Sequence, residues 1–201
     1  MSREIPENSP LAESGGPVFD DLRPPLEDNI SYRRSAVLIL LYPREGEDYV
    51  VFTRRTDTVE HHKGQISLPG GSQDPTDPDA AFTALREAQE EVGLEPQDVE
   101  VLQVLSDVYA RVSSFVIAPV VGRLKPEAAE RGLVFHPNAG EVAEIIEVPL
   151  RALREETAHR MESRAASGVT YNIHYYTYGP YEIWGVTGRI IFEFLNTFRF
   201  E

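Results

Sequence analysis

Residues 64–94 read GQISLPGGSQDPTDPDAAFTALREAQEEVGL, and the two halves of this stretch follow different rules. The second half carries the signs of a helix. Asp77 is a good N-cap, Pro78 suits the first helical position, and Gly93 follows the last turn as a stop. Ala81, Phe82, Ala84, Leu85, Ala88 and Val92 recur at steps of three and four, which gives one apolar side. Glu87, Glu90 and Glu91 share the other side, since residues three and four apart are neighbours on a helix. The first half is a loop with two adjacent glycines, Gly70 and Gly71. Backbone angles closed to other residues are open there, so a bare carbonyl can approach a ligand.

Three carboxylates in one short run repel one another, by a few tenths of a kcal/mol per pair. On an ordinary helix they form a solvated acidic face, with Arg86 pairing to Glu90. Here they follow the glycine pair at fixed distance, in the order Arg-Glu-Ala-Gln-Glu-Glu-Val-Gly-Leu. That arrangement suits a hard divalent cation, which takes oxygen ligands and completes its shell with water and substrate phosphates.

The segment resembles the signature of the Nudix hydrolases, Gly-x5-Glu-x7-Arg-Glu-U-x-Glu-Glu-x-Gly-U, where U is a bulky aliphatic residue. Arg86, Glu87, Glu90, Glu91, Gly93 and Leu94 match, and Ala88 is small for its position. Counted back from Arg86, the first Glu falls on Pro78 and the first Gly on Ser72. The loop thus carries one extra residue, and Asp77 is the nearest acid. Upstream, the chain is similar to the coenzyme A pyrophosphatase branch, whose pattern is Leu-Leu-Thr-x-Arg-[Ser/Ala]-x3-Arg-x3-Gly-x3-Phe-Pro-Gly-Gly. Thr53, Arg55, Gly64, Pro69, Gly70 and Gly71 agree; Thr56 replaces the small residue, Leu68 the Phe, and Glu60 stands where the pattern has Arg. The run Ile183-Trp-Gly-x-Thr-x-Arg-Ile-Ile191 resembles the C-terminal end of the same branch. The likeness spans about Tyr32 to Leu195.

Composition bounds the alternatives. The chain has 201 residues and a formal charge of −14, long enough for one domain with a proper core. With no basic stripe to offset that charge, nucleic acid is not the expected partner. There is no cysteine, so neither a disulfide framework nor a thiol nucleophile is available. No apolar run approaches the roughly 20 residues that span a bilayer, and neither a signal-peptide nor a transit-peptide layout is present. The expectation is a cytoplasmic enzyme.

In chain order, residues 1–31 read as a flexible acidic, Pro-rich arm, and residues 32–201 as a single domain. Ser35–Tyr42 is a buried strand and Tyr49–Arg55 its return. The polar loop Asp57–Ser67 holds His61, His62 and Lys63. Val99–Leu105 and Phe115–Leu124 are strand-like, Pro126 opens a short helix or turn, and His136–Gly140 is loop. The resemblance implies that an acid of a late loop can join the metal site or serve as base; Glu141 and Glu144 are the candidates, the alternative being solvated acids at a strand edge. Thr157–Met161 and Thr170–Tyr176 predict a late hairpin. In its second strand Tyr171, Ile173 and Tyr175 lie on one side, with Asn172, His174 and Tyr176 on the other, which fits one wet face. Thr187, Ile190, Ile191, Phe194, Leu195 and Phe198 form the stripe of a C-terminal docking helix. No internal repeat is present.

The resemblance implies an α/β (α+β) fold, the Nudix-type α/β/α sandwich with a mixed central sheet. It implies magnesium or manganese held by Glu87, Glu90 and Glu91, with Arg86 orienting one of these acids. The substrate would be coenzyme A or a related nucleoside diphosphate derivative, cut into phosphopantetheine and adenosine 3′,5′-bisphosphate. Gly70 and Gly71 would line that substrate, and Arg54, Arg55, His62 and Lys63 are the candidates to contact it. A homodimer is compatible with this reading. The rivals are another Nudix specificity, such as ADP-ribose hydrolysis, and a non-catalytic nucleotide-sensing module.

Overall fold

A computed structural model describes residues 18–19, 31–56, 64–110, 113–166 and 169–200. In chain order the elements are β1 (Val18–Phe19), β2 (Arg33–Arg44), β3 (Glu47–Arg55), β4 (Ile66–Ser67), β5 (Gly70–Ser72) and α1 (Ala80–Val92). Then come β6 (Val99–Val104), β7 (Val108–Ala110), β8 (Phe115–Leu124), α2 (Pro126–Glu130), β9 (Val142–Pro149) and α3 (Leu150–Arg154). The chain closes with β10 (His159–Ala166), β11 (Val169–Tyr178), β12 (Tyr181–Ile183) and α4 (Gly185–Thr197). The arm reading falls largely outside the described residues; within it, Val18–Phe19 pairs in parallel with Thr170–Tyr171.

Eight strands form one mixed sheet, ordered β4-β3-β2-β8-β6, with β9 on β3, β5 on β2 and β7 on β8. The central pair, β2 and β8, is parallel, and the other pairs are antiparallel. Because successive side chains of a strand face opposite ways, the apolar run of β2 feeds two cores. Ala36, Leu38, Leu40 and Tyr42 pack with Ala84, Ala88 and Val92 of α1. Ile39 and Leu41, with Val50 and Phe52 of β3, pack with Ile190, Ile191 and Phe194 of α4. The large sheet therefore lies between α1 and α4, the mixed sandwich expected.

A second sheet, β1-β11-β10 with β12 on β11, covers the other side of α4. Here one expectation is corrected. The hairpin forms, but His174 and Tyr176 are buried, at 1% and 2% exposure, and Tyr175 is buried as well. The His174 ring stacks on Phe192 of α4, and along His174–Tyr176 neither side of the strand is wet.

The site owes its position to a divergence of β2 from β3. The two pair only over Leu41–Arg44 and Glu47–Val50. Beyond that, β3 turns to β4 and β9, while β5 takes the place beside Ser35–Val37. At the split the Leu38 N–H donates to the Pro69 carbonyl at 2.8 Å. The glycine pair is thereby held at the mouth of the opening, under α1.

Candidate active site

Helix α1 begins two residues later than its sequence suggests. Asp79, not Asp77, is the N-cap, and its carboxylate accepts from the Phe82 N–H at 2.8 Å. Gly93 does close the helix, with φ 71° in the left-handed region, where glycine carries no Cβ penalty. Phe82, placed on the apolar side by its spacing, is 49% exposed.

Asp77 instead folds back into the helix. Its side chain is buried and accepts from Nε and Nη2 of Arg86 at 3.3 and 3.1 Å. It also accepts from the Thr83 hydroxyl at 2.9 Å and the Asp74 N–H at 3.0 Å. The Arg86 hydrogen bonds hold the Asp77 carboxyl below the usual carboxylate range. With Asp77 behind it, Arg86 reaches Glu87 at 2.8 Å, the Ser72 carbonyl at 3.1 Å and Glu90 at 3.2 Å. The extra loop residue brings an acid to Arg86 from a different register. The signal in the sequence was the offset itself.

The three glutamates do not stand alike. Glu91 is buried, at 5% exposure, and accepts the Gly70 N–H at 3.1 Å. Burial pushes its carboxyl up to about 7, although the Gly70 N–H and the charge of Arg55 pull the other way. Glu87 lies directly over Gly71, so close that a Cβ there would collide with its carboxylate. Burial pushes its carboxyl up too, partly offset by Arg86. Glu90 is exposed and turned toward Arg86. Among the described residues no three His, Asp or Glu side chains converge closely enough to hold a metal ion among them. Glu87 and Glu91 are nonetheless a fitting pair of donors. Both are desolvated carboxylates beside a bare glycine backbone, and hard cations take such oxygens and fill the remaining positions with carbonyls, water and phosphate.

The late acids separate as well. Glu141, just before β9, lies near enough that its charge pushes both Glu87 and Glu91 further up. Its loop is fixed to the site: Asn138 N–H donates to the Glu91 carbonyl at 2.9 Å, and Thr56 N–H to the Glu141 carbonyl at 3.0 Å. Glu144 belongs elsewhere. The Tyr181 hydroxyl at 2.6 Å and Arg54 at 2.8 Å both donate to it, and they hold its carboxyl low.

Of the cationic candidates, Arg54 is thus engaged by Glu144. Arg55 reaches the field of Glu91, and its buried Nε has no hydrogen-bond partner among the described residues. His61, His62 and Lys63 lie outside the described residues.

Comparison with known proteins adds the following. A family model described as "NUDIX domain" matches residues 32–167. The chain is 37% identical over 171 residues to "Nudix hydrolase 15, mitochondrial" of Arabidopsis thaliana, covering 82% of this chain and 58% of that one. It is 35% identical over 172 residues to "Uncharacterized Nudix hydrolase NudL" of Photorhabdus laumondii, covering 86% and 89%. To "Peroxisomal coenzyme A diphosphatase NUDT7" of Mus musculus it is 35% identical over 168 residues, covering 81% and 69%. The chain therefore spans just under three-fifths of the plant relative and most of the bacterial one.

Proposed function

The chain belongs to the Nudix hydrolase family, and from that premise we propose that it hydrolyses the phosphoanhydride of coenzyme A or its derivatives. The observation that carries the reading is the half-buried Glu87 and buried Glu91 over Gly70 and Gly71, joined to the upstream Thr53, Arg55, Gly64 and Pro69 pattern. The similarity to the mouse coenzyme A diphosphatase supports it. Cleavage would yield phosphopantetheine and adenosine 3′,5′-bisphosphate.

Nudix hydrolases generally use divalent metal ions, and here Glu87 and Glu91 would hold magnesium or manganese, with Glu90 at the rim. Such an ion offsets charge on the phosphate oxygens and lowers the pKa of bound water. The remaining work falls to the chain. Arg86 fixes the Glu87 carboxylate, and Asp77 fixes Arg86. Glu141, whose charge reaches Glu87 and Glu91, would take the proton of the attacking water as its oxygen bonds to phosphorus and the anhydride P–O bond breaks. Arg55 grips a phosphate oxygen with guanidinium N–H groups. His62 and Lys63, which lie outside the described residues, would be further contacts to the substrate. No helix among the described residues is long and apolar enough to cross a membrane. The cytoplasm is the proposed compartment, although the names of two relatives place them in the mitochondrion and the peroxisome.

One observation favours a second reading. Glu60 stands where the coenzyme A branch has Arg, and a reversed charge beside an anionic substrate weakens its grip. Another nucleoside diphosphate derivative, such as ADP-ribose, would keep the same acids and change only the pocket. Comparing kcat/KM for coenzyme A and ADP-ribose, with products identified by mass, separates the two. Faster coenzyme A turnover, releasing phosphopantetheine, is the expected result; faster ADP-ribose turnover would overturn the assignment.

A further inference from the structure

The turn that carries Glu141, residues 136–141 between α2 and β9, has no apolar anchor. Every one of these residues is exposed, so hydrogen bonds must keep the turn in one place. They come from two sides. On one, the turn is docked on the end of α1: the His136 N–H donates to the Val92 carbonyl at 2.8 Å, and the Asn138 N–H to the Glu91 carbonyl at 2.9 Å. Carbonyls of a last helical turn have no donor within the helix, and here the turn supplies it. On the other side one residue, just past β3, holds the turn twice. The Thr56 N–H donates to the Glu141 carbonyl at 3.0 Å, and the Thr56 hydroxyl to the Gly140 carbonyl at 3.2 Å. Between the two, Asn138 closes the bend. Its Oδ1 accepts the Gly140 N–H at 3.1 Å, and its carbonyl accepts the N–H groups of Glu141 and Val142 at 2.9 and 2.8 Å.

Both docking points belong to the site. Glu91, whose carbonyl holds Asn138, turns its carboxylate to the Gly70 N–H. Thr56 follows Arg55, whose charge reaches Glu91. The segments that set an acid and a cation of the site thus also set the turn. The backbone bonds survive any side chain, but the Thr56 hydroxyl does not. The coenzyme A branch has Ser or Ala at this place; threonine keeps the hydroxyl that serine has and alanine lacks.

We infer that the Thr56 hydroxyl is a positioning group for Glu141: by holding the Gly140 carbonyl to the end of β3, it keeps the next residue beside Glu87 and Glu91. The inference rests on the base role given to Glu141 above. Because water can replace an exposed hydroxyl bond at little net cost to folding, its loss is felt in the place of the turn rather than in stability.

The test is a double-mutant cycle of Thr56→Val, which keeps the shape and removes the hydroxyl, with Glu141→Gln. It is assayed with magnesium on coenzyme A or ADP-ribose, whichever the wild-type chain cleaves faster. Thr56→Val lowers kcat about tenfold with KM unchanged, and Thr56→Ser restores it. In the Glu141→Gln background the same substitution changes kcat by less than about twofold. Amide exchange of the free protein reads the turn without turnover. Glu141 and Val142 exchange about threefold faster or more in Thr56→Val, and at the wild-type rate in Thr56→Ser. Should Thr56→Val fail to fold, Asn138→Ala removes the other side-chain bond of the turn and is read in the same cycle. A tenfold loss that persists in Glu141→Gln would assign the effect to the loop that follows Thr56 and overturn the inference alone. Wild-type kcat in Thr56→Val, no rescue by serine, or unaltered exchange would do the same. Glu141→Gln as fast as the wild type would overturn the base role, and the inference with it.

Discussion

Asp77 shows how much a single residue can carry when a sequence departs from its family pattern. Its carboxylate takes two hydrogen bonds from Arg86, and Arg86 in turn holds Glu87, so in the proposed reaction Asp77 would act through a positioning chain of two links. Asp77→Asn keeps the size but removes the charge. We expect kcat to fall by about ten- to a hundredfold, the range seen when a supporting residue of a metal site is lost, with KM nearly unchanged; an unchanged kcat would show that Arg86 needs no anchor. Glu91 gives a second prediction, one of pH. Its folded carboxyl lies near 7 against an ordinary value of 4.5. Between those values the folded chain binds a proton that the unfolded chain has released, so stability of the metal-free protein falls as pH rises through that window. The full change amounts to about 3 kcal/mol. Denaturant melts at pH 5 and pH 7.5 with chelator present should show it, and Glu91→Gln should flatten the slope; equal stability at both pH values would contradict the assignment. The sequence made the acids of α1 legible, because they sit in a fixed pattern. It did not separate Glu141 from Glu144, since nothing local announces that the Tyr181 hydroxyl and Arg54 occupy one and leave the other beside Glu87 and Glu91.

At the scale of elements, periodicity was informative wherever one face of a strand or helix meets the core. Phe115–Leu124 was read as a strand and is one to the residue, because its Val and Ile run is buried throughout. The docking helix likewise buries Thr187, Ile190, Ile191 and Phe194 as its stripe implies. Two readings failed for physical reasons. The start of α1 moved because Asp77 finds better partners in Arg86 and Thr83 than in a helix end. The expectation of one wet face on β11 failed because His174, Tyr175 and Tyr176 are all buried, with the His159 ring stacked on His174 and Tyr176, and alternation cannot tell a packed imidazole from a solvated one. The α4 contact carries a stability prediction. Phe194 is fully buried between the sheets, so Phe194→Ala should cost about 3–5 kcal/mol and lower the denaturation midpoint. A loss below about 1 kcal/mol would mean that α4 is not held by this core.

Over the whole molecule, the fold prepares an opening and the helix fills it with acid. The sheet splits where β3 leaves β2, the Pro69 carbonyl is pinned to Leu38 at the split, and α1 lays Glu87 and Glu91 against the exposed glycine backbone. The mixed sheet and the two flanking helices followed from apolar runs and a recognisable signature. The second sheet as a separate layer over α4 did not, because strand pairing between distant segments leaves no local trace. The proposal that rests on this arrangement is that Glu87 and Glu91 would hold a divalent ion, whose charge would offset that of two desolvated carboxylates at the opening. The most direct test is the rate of coenzyme A hydrolysis after exhaustive chelation, with magnesium or manganese then titrated back into the wild-type chain and into Glu91→Gln. The account predicts no turnover without the ion, recovery on its return, and a variant slower by several hundredfold or about 3–4 kcal/mol while still folded. Turnover untouched by the chelator, or a variant as fast as the parent, would contradict it.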